Sequence, residues 1–463
     1  MGSMFIGPIF LAIALQSGDP IDAYVDTQMA AQHIPGLTLL VVKDGKTIKE
    51  KAYGVSNIET KRTTQLTDRF DMGSIGKTFT ATMIMQLVNE KKLSLSQKVK
   101  DILPDFPDKW KATTIRQLIS HQSGIPDYAL MEGVGLNDTY EQKLWTDTVY
   151  KANLDFPTGQ LYQYSNSNFV LLGLIIEKIT GKPYRQVIQE RIFDPAGLTN
   201  TGFKEAGKGL PSGATAGYFF IDGKLVDGGP GGTSPTPSDG GEFTTIYDLQ
   251  KWENAVRSGK VLPIGMVKQM QTPSVVASGR KTGYGMGWMT ATVEGSPQIT
   301  HGGNSVGFSG TLSTFPKQHL EIYMLCNLYP VGGDGFALGI AKMLEPTLVR
   351  KPQISQPTDP NPELSTKFKQ GLLELAKANI KSPLFHADMQ LRLATGRGQM
   401  VLPAYRNFSV VNKMEYISKR EEKPDMVVRY RVYDAKTSWI VDFQVTKEGQ
   451  IYSIGKAPDT DKK

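Results

Sequence analysis

The sequence is predicted to fold as an α/β (α+β) protein. An antiparallel sheet is flanked by helices, an all-helical domain is inserted into it, and a small α+β domain follows at the C-terminus. Three observations predict this. Runs rich in β-formers occur near both ends of the first 350 residues, while residues 98 to about 225 look mostly helical with loops. A Pro-rich stretch (Pro352, Pro357, Pro360 and Pro362) then marks a boundary. Beyond it, one helix precedes alternating strands, so the tail reads as its own module.

The elements follow in order. Leu37–Val42 and Thr47–Tyr53 are rich in β-formers and flank Lys43-Asp44-Gly45-Lys46, a hairpin turn. Residues 75–88 place apolar side chains at 75, 79, 83, 84, 87 and 88, a helical pattern that starts just after Ser74. Thr114 and Gln117 have capping-box spacing. Residues 168–180 are apolar almost all round and stop at Gly181, and Pro183 opens another helix. Residues 228–241 read as a Gly/Pro/Ser loop. The β pattern returns in Gly285–Thr292, Ile299–Gly302, Thr311–Phe315 and Leu320–Asn327, and a helix is expected near Phe336–Leu348. In the tail, Glu363–Asn379 reads as a helix, and Met426–Tyr433 and Ser438–Val445 as strands. The expected division is 1–18 as an apolar N-terminal segment, 19–349 as the main domain, 350–364 as linker and 365–463 as the basic module.

Composition narrows the function classes. With 40% hydrophobic and 21% charged residues the chain is globular, not disordered. A single cysteine, Cys326 in an apolar run, excludes an intramolecular disulfide and reads as a buried thiol. Five scattered histidines, with no HExxH and no CxxC, give no metal spacing, and no cofactor is expected. Residues 365–463 hold 18 Lys and Arg against 11 Asp and Glu, which accounts for the whole formal charge of +7. That module is expected either to meet an anionic surface, such as cell wall or membrane, or to carry an ordinary solvated face. Its aromatics follow strand alternation, so no nucleic-acid role is expected. The apolar run over residues 4–15 is short for a membrane span and suits the core of a signal peptide, which implies a periplasmic or secreted protein. The positive residues that usually precede such a core are missing, and an ordinary N-terminal strand or helix is the alternative.

Three motifs carry the chemistry: Ser74-Ile75-Gly76-Lys77, Tyr164-Ser165-Asn166 and His301-Gly302-Gly303. On a helix, residues three apart share a face, so Ser74 and Lys77 can meet. A serine hydroxyl needs a base to become a nucleophile, and a lysine serves only if burial or a like charge lowers its pKa. A lysine that stays charged can instead lower the pKa of a neighbouring tyrosine. Two other Ser-x-x-Lys pairs, Ser278/Lys281 and Ser453/Lys456, lack a helix to align them. Gly73–Thr78 also resembles a phosphate loop, but Asp71 stands where that motif needs glycine. Tyr164 falls on a loop before an apolar helix, free to project into a cleft. Glycines on the His301 strand permit close approach of another backbone. His121 is expected to bond loop backbone.

With these elements in place, the chain resembles the serine β-lactamase and penicillin-binding-protein superfamily. The likeness is to class C β-lactamases, S12-type D-Ala-D-Ala carboxypeptidases and β-lactamase-like esterases. It covers roughly residues 20–348 and is carried by FDMGSIGKTFTA (70–81), TIRQLISHQSGIPDY (114–128) and the segment 156–184, with 240–252 and 283–310. The resemblance implies a β-lactamase/transpeptidase-like fold and hydrolysis of an ester or amide through an acyl-enzyme. It implies Ser74 as nucleophile, Lys77 as its activator, Tyr164 as a second proton shuttle and Asn166 as the amide-binding residue. Gly302 and Gly303 would lie along a small-molecule or peptide substrate, the Ser74 and Asn304 N–H groups would hold the oxyanion, and the Tyr128 loop would shape the pocket. His301 stands where true β-lactamases have the Lys of Lys-Thr-Gly, which weakens the case for β-lactamase activity. A histidine near pKa ~6.5 is expected to favour carboxylate-bearing substrates at pH 5.5 over 7.5. The alternative is a non-catalytic penicillin- or peptidoglycan-binding protein. The tail lies outside the resemblance and looks vaguely NTF2-like.

Overall fold

The computed structural model describes residues 18–135, 138–204, 210–229, 231–232 and 237–459. The apolar segment expected to be a signal peptide, and part of the 228–241 loop, lie outside the described residues.

The expected hairpin forms from Gly36–Lys43 and Lys46–Asn57. Its turn works because Asp44 and Gly45 both take positive φ (51° and 74°), the twist that matches a two-residue hairpin. These strands join four from the other end of the domain, and the two-residue strand Arg62–Thr63 completes an antiparallel seven-stranded sheet. Its order is Arg62–Thr63, Lys46–Asn57, Gly36–Lys43, Leu320–Cys326, Phe308–Phe315, Ser296–Ser305, Met289–Val293.

Alternation decides which face each side chain serves. Leu37, Leu39 and Val41 pack under helices Pro20–Gln32 and Gly333–Leu344. Leu40 and Val42 point the other way, into the larger core with helices Lys77–Asn89, Asn166–Thr180 and Ile246–Arg257. The Lys77–Asn89 helix is buried from Lys77 to Met85, which makes it the centre of the fold.

Several elements differ from expectation for local reasons. The Gly333–Leu344 helix starts earlier than expected and gives way to a 3₁₀ turn at Pro346, which cannot continue an α-helix. The strand expected over Gly285–Thr292 begins only at Met289. Gly287 has φ 76° and lies so close to the central helix that a Cβ there would sit 2.3 Å from that of Ala81. Within the region read as mostly helical, Tyr218–Ile221 and Lys224–Asp227 form a hairpin. The capping box at Thr114 forms, with the Thr114 N–H donating to Gln117 Oε1 at 2.9 Å. Gly181 ends its helix in the left-handed conformation.

The C-terminal module has its own core, in which Phe368 stacks on Phe443 at 4.2 Å. Helices Pro362–Ala376, Ala387–Ala394 and Gly396–Val401 precede a four-stranded meander, Lys413–Glu422, Asp425–Tyr433, Ser438–Val445 and Ile451–Pro458. The first outer strand escaped the sequence reading because it is polar, and the last, expected to end at Ser453, runs on to Pro458. Ser453 therefore lies near the start of a strand, not at its end. Part of the module's positive charge is spent internally: Arg429 pairs with Asp442, and Arg431 with Asp459. Lys456 lies 4.2 Å from the Trp439 ring centre.

Candidate active site

Ser74 sits in a 3₁₀ turn, Gly73–Gly76, that runs into the central helix at Lys77. The turn puts the two side chains on one face, and Lys77 Nζ donates to Ser74 Oγ at 3.0 Å. Ser74 is partly exposed and Lys77 wholly buried. The ammonium also donates to Asn166 Oδ1 at 2.7 Å and to the Asp239 carbonyl. Asn166 is the first residue of its helix, so Tyr164, two residues earlier, projects from the preceding loop. Lys77 Nζ lies 5.1 Å from the Tyr164 ring centre.

The third motif arrives from the sheet. The ladder between Ser296–Ser305 and Met289–Val293 stops at Thr300. From His301 onward, that edge meets the Ser74 turn instead. A Cβ on Gly303 would strike the Met72 carbonyl oxygen at 1.8 Å, and one on Gly73 (φ 50°) would meet Asn304 O at 2.6 Å and N at 2.7 Å. Only glycine at both positions allows this approach. Asn304 is thereby held over the residue preceding Ser74, and Gly302 lies beside Asp334.

Burial sets the protonation states. It pulls the Lys77 pKa down to about 8, and the Arg397 charge adds to that, while Asp239, Asp127 and Glu242 oppose it. At pH 7 roughly a tenth of the lysine is then neutral, far more than for a free lysine. The Tyr164 hydroxyl is buried, with the Ser74 hydroxyl as its polar neighbour. Burial pushes its pKa above the ordinary phenol value, against the Ser74 hydroxyl and Arg397. Tyr164 therefore stays protonated at pH 7, where most of Lys77 still carries its charge. Glu242, wholly buried with both oxygens unpartnered, rises to about 8 for the same reason and is mostly neutral at pH 7.

Two expectations, His301 and Tyr128, need correction, and the partners of Asn166 can be stated. His301 is fully buried, and its Nδ1 lies 2.7 Å from the Gly302 carbonyl oxygen. A carbonyl only accepts, so Nδ1 carries the proton and Nε2 accepts from the Tyr284 hydroxyl at 3.1 Å. Burial drops its pKa to about 3. His301 thus stays neutral and spent on protein partners, and the ratio of carboxylate-bearing to neutral substrate turnover is expected to be flat from pH 5.5 to 7.5. Parallel kcat/KM profiles for a matched pair of esters check this. Tyr128, expected at the pocket, is buried and donates its hydroxyl to Asp239 at 2.8 Å. It braces the wall behind Lys77. Asn166, expected to bind a substrate amide, has its carboxamide oxygen on Lys77 and its nitrogen 3.4 Å from Asp127 Oδ2.

His121 accepts the Ser165 N–H at 3.2 Å and lies 4.3 Å from the Tyr164 ring, as a buried, neutral spacer. The other Ser-x-x-Lys pairs are apart from the site. The Ser453 hydroxyl donates to Gln444 at 2.9 Å, and Ser278 lies in a turn. Four charged or acidic members were missed: Asp127, Asp239, Glu242 and Arg397. Asp127 ends the Ser-Gly-Ile-Pro-Asp stretch and accepts the Asn166 N–H at 3.0 Å. That stretch carried the signal for it; Arg397, in Gly396-Arg397-Gly398, had none. Among the described residues no group of His, Cys, Asp and Glu side chains is arranged to hold a metal, and no helix is long and apolar enough to cross a membrane.

The chain is 28% identical over 318 residues to Protein flp of Staphylococcus aureus (strain N315), covering 67% of this chain and 63% of that protein. It is 25% identical over 320 residues to a D-aminopeptidase of Cereibacter sphaeroides, covering 67% of this chain and 60% of that protein. The chain thus spans less than two thirds of either relative. The octameric penicillin-binding protein homologue from Pyrococcus abyssi superposes with a TM-score of 0.62 at 21% identity, over 94% of this chain and 95% of that one. That fold likeness takes in the C-terminal module. The family model described as Beta-lactamase matches residues 21–343, most of the chain, which therefore belongs to the beta-lactamase family.

Proposed function

We propose that this protein is a serine hydrolase that cleaves ester or amide bonds through an acyl-enzyme on Ser74, with D-amino-acid or peptidoglycan-like compounds as its substrate class. One observation carries the reading: a buried lysine with a lowered pKa donates to a partly exposed serine hydroxyl at 3.0 Å. The relationship to a D-aminopeptidase supports the substrate class.

The opposed pKa shifts divide the proton work. Neutral Lys77 takes the Ser74 proton as Oγ attacks the carbonyl carbon. The oxyanion forms beside the N–H groups of Ser74 and Asn304, fixed donors that need no reorganisation. Tyr164, kept protonated by burial, gives its proton to the departing amine or alkoxide, and the proton held by Lys77 restores it. Water then repeats the sequence on the acyl-enzyme and releases the acid. At 3.4 Å the Asn166–Asp127 contact is weak, so the Asn166 amide can turn to a substrate carbonyl. The apolar N-terminus suits action outside the cytoplasm, and the basic module suits an anionic surface there.

A panel of p-nitrophenyl esters, nitrocefin and matched D- and L-amino-acid amides tests the reading, with mass spectrometry after a fluorophosphonate probe. Ester turnover, a preference for D-amides and one adduct on Ser74 are expected. Absence of both turnover and adduct would overturn it in favour of a protein that only binds such ligands.

A further inference from the structure

The basic C-terminal module does more than present charge. It docks on the main domain through polar contacts, two of them with the segment that carries Tyr164. Arg280 of the main domain donates to both carboxylate oxygens of Asp425 at 2.7 and 2.9 Å, with both side chains nearly buried. Its guanidinium lies 4.0 Å from the Tyr452 ring centre. Gln160 donates to Asp388 at 2.7 Å, and Thr395 donates to Gln163 at 2.7 Å. Gln160 and Gln163 are four and one residues before Tyr164, so the module grips the loop from which that ring projects.

Two residues after Thr395, Arg397 reaches the site itself. Its Nε donates to Asp127 Oδ2 at 2.7 Å, its Nη2 contacts the same oxygen, and its guanidinium lies 5.2 Å from the Tyr164 ring centre. Asp127 is almost wholly buried, whereas Arg397 is about one third exposed. The same carboxylate receives the Asn166 N–H and faces its carboxamide, and Asn166 in turn accepts from Lys77. A chain of direct contacts therefore runs from the module through Asp127 and Asn166 to Lys77.

We propose that Arg397 is a positioning residue of the active site, and that the C-terminal module is an obligatory part of the hydrolase because it delivers this guanidinium to Asp127 and Tyr164. The inference rests on the hydrolase reading above. A buried carboxylate without a partner is costly, and its field reaches neighbouring groups. With Arg397 in place, Asp127 acts as a neutralised cap on the Asn166–Thr180 helix. Without it, the uncompensated charge would favour the protonated form of Lys77 and leave the Tyr164 ring without its outer wall. The titratable groups acting on Lys77 are Asp239, Asp127, Glu242 and Arg397, and the neutral rings of Tyr164, His121 and His301 lie around it. Arg397 is the cation in that set, and its effect on Lys77 is to lower the pKa.

The test uses the full chain and reads the rate of fluorophosphonate labelling at Ser74 by intact mass from pH 6 to 9.5, with circular dichroism melts to establish folding. In Arg397→Gln the labelling midpoint is expected to rise by about one pH unit, and the rate at pH 7 to fall about tenfold. Arg397→Lys keeps the charge and should keep the wild-type midpoint at a reduced rate. Adding Asp127→Asn to Arg397→Gln removes the orphaned charge and should bring the midpoint back down. Wild-type rate and midpoint in folded Arg397→Gln would overturn the proposal while leaving the hydrolase reading intact. If Arg397→Gln does not fold, a wild-type rate in Arg397→Lys, or a raised midpoint in the double variant, overturns it instead. A wild-type protein that takes no label would overturn the hydrolase reading itself.

Discussion

Ser74→Ala is expected to lower ester and amide turnover on the order of 10³-fold or more, and to remove the fluorophosphonate adduct, with little effect on the melting temperature. The size follows from the site. Among the described residues the other hydrogen-bond acceptors of Lys77 are the Asn166 carboxamide and the Asp239 carbonyl, and neither is a nucleophile. The fold should tolerate the change because Ser74 is partly exposed and its hydroxyl contributes a single hydrogen bond to an already anchored lysine. Ser453→Ala is the matched control. It sits in the same tetrapeptide, Ser-Ile-Gly-Lys, and should leave turnover unchanged. Its hydroxyl is bonded to Gln444 on a strand, and Lys456 points to Ala404, Trp439 and neighbouring rings. Hydrolysis of p-nitrophenyl acetate by the two variants checks both statements.

Lys77→Met should have the second-largest effect and a different signature. In the wild-type protein, burial has lowered the lysine to about pH 8, so the neutral fraction, and with it kcat/KM, should rise through that pH. Methionine matches the length and removes the base. Turnover should fall about 10²–10⁴-fold, the usual range for a general base, and the limb near pH 8 should vanish from what remains. A variant that lost rate but kept the limb would assign that titration elsewhere. Glu242 is the group to suspect, since burial raises it to about the same value. Glu242→Gln would then decide between them, because it removes one titration and leaves Lys77 in place.

The fold was legible where short-range rules act. The Asp44-Gly45 turn, the helix stop at Gly181 and the run of β-formers in Gly36–Lys43 are each decided within a few residues. So is the meeting of Ser74 and Lys77, which needs only one helical turn. The missed strand Lys413–Glu422 and the misplaced end of Ile451–Pro458 show the limit. Their pairing with better-patterned neighbours makes them strands, and no local preference announces it. Gly302 and Gly303 were readable as sites of close approach, but which groups approach, Asp334 beside Gly302 and the Met72 carbonyl beside Gly303, was not. Strand register, unlike turn chemistry, depends on which segments pack together.

The sequence by itself determined the residue types and their local spacing: a serine one turn from a lysine, a tyrosine before an apolar helix, a histidine followed by two glycines. Only the tertiary structure decided what those groups are chemically. Protonation depends on desolvation and on charges brought in from afar, so Lys77 moves down, Tyr164 moves up and His301 is held neutral. The Arg397–Asp127 pair joins residues 270 positions apart across two modules. No spacing rule acts over that distance; it exists because two separately patterned cores dock on the loop that carries Tyr164.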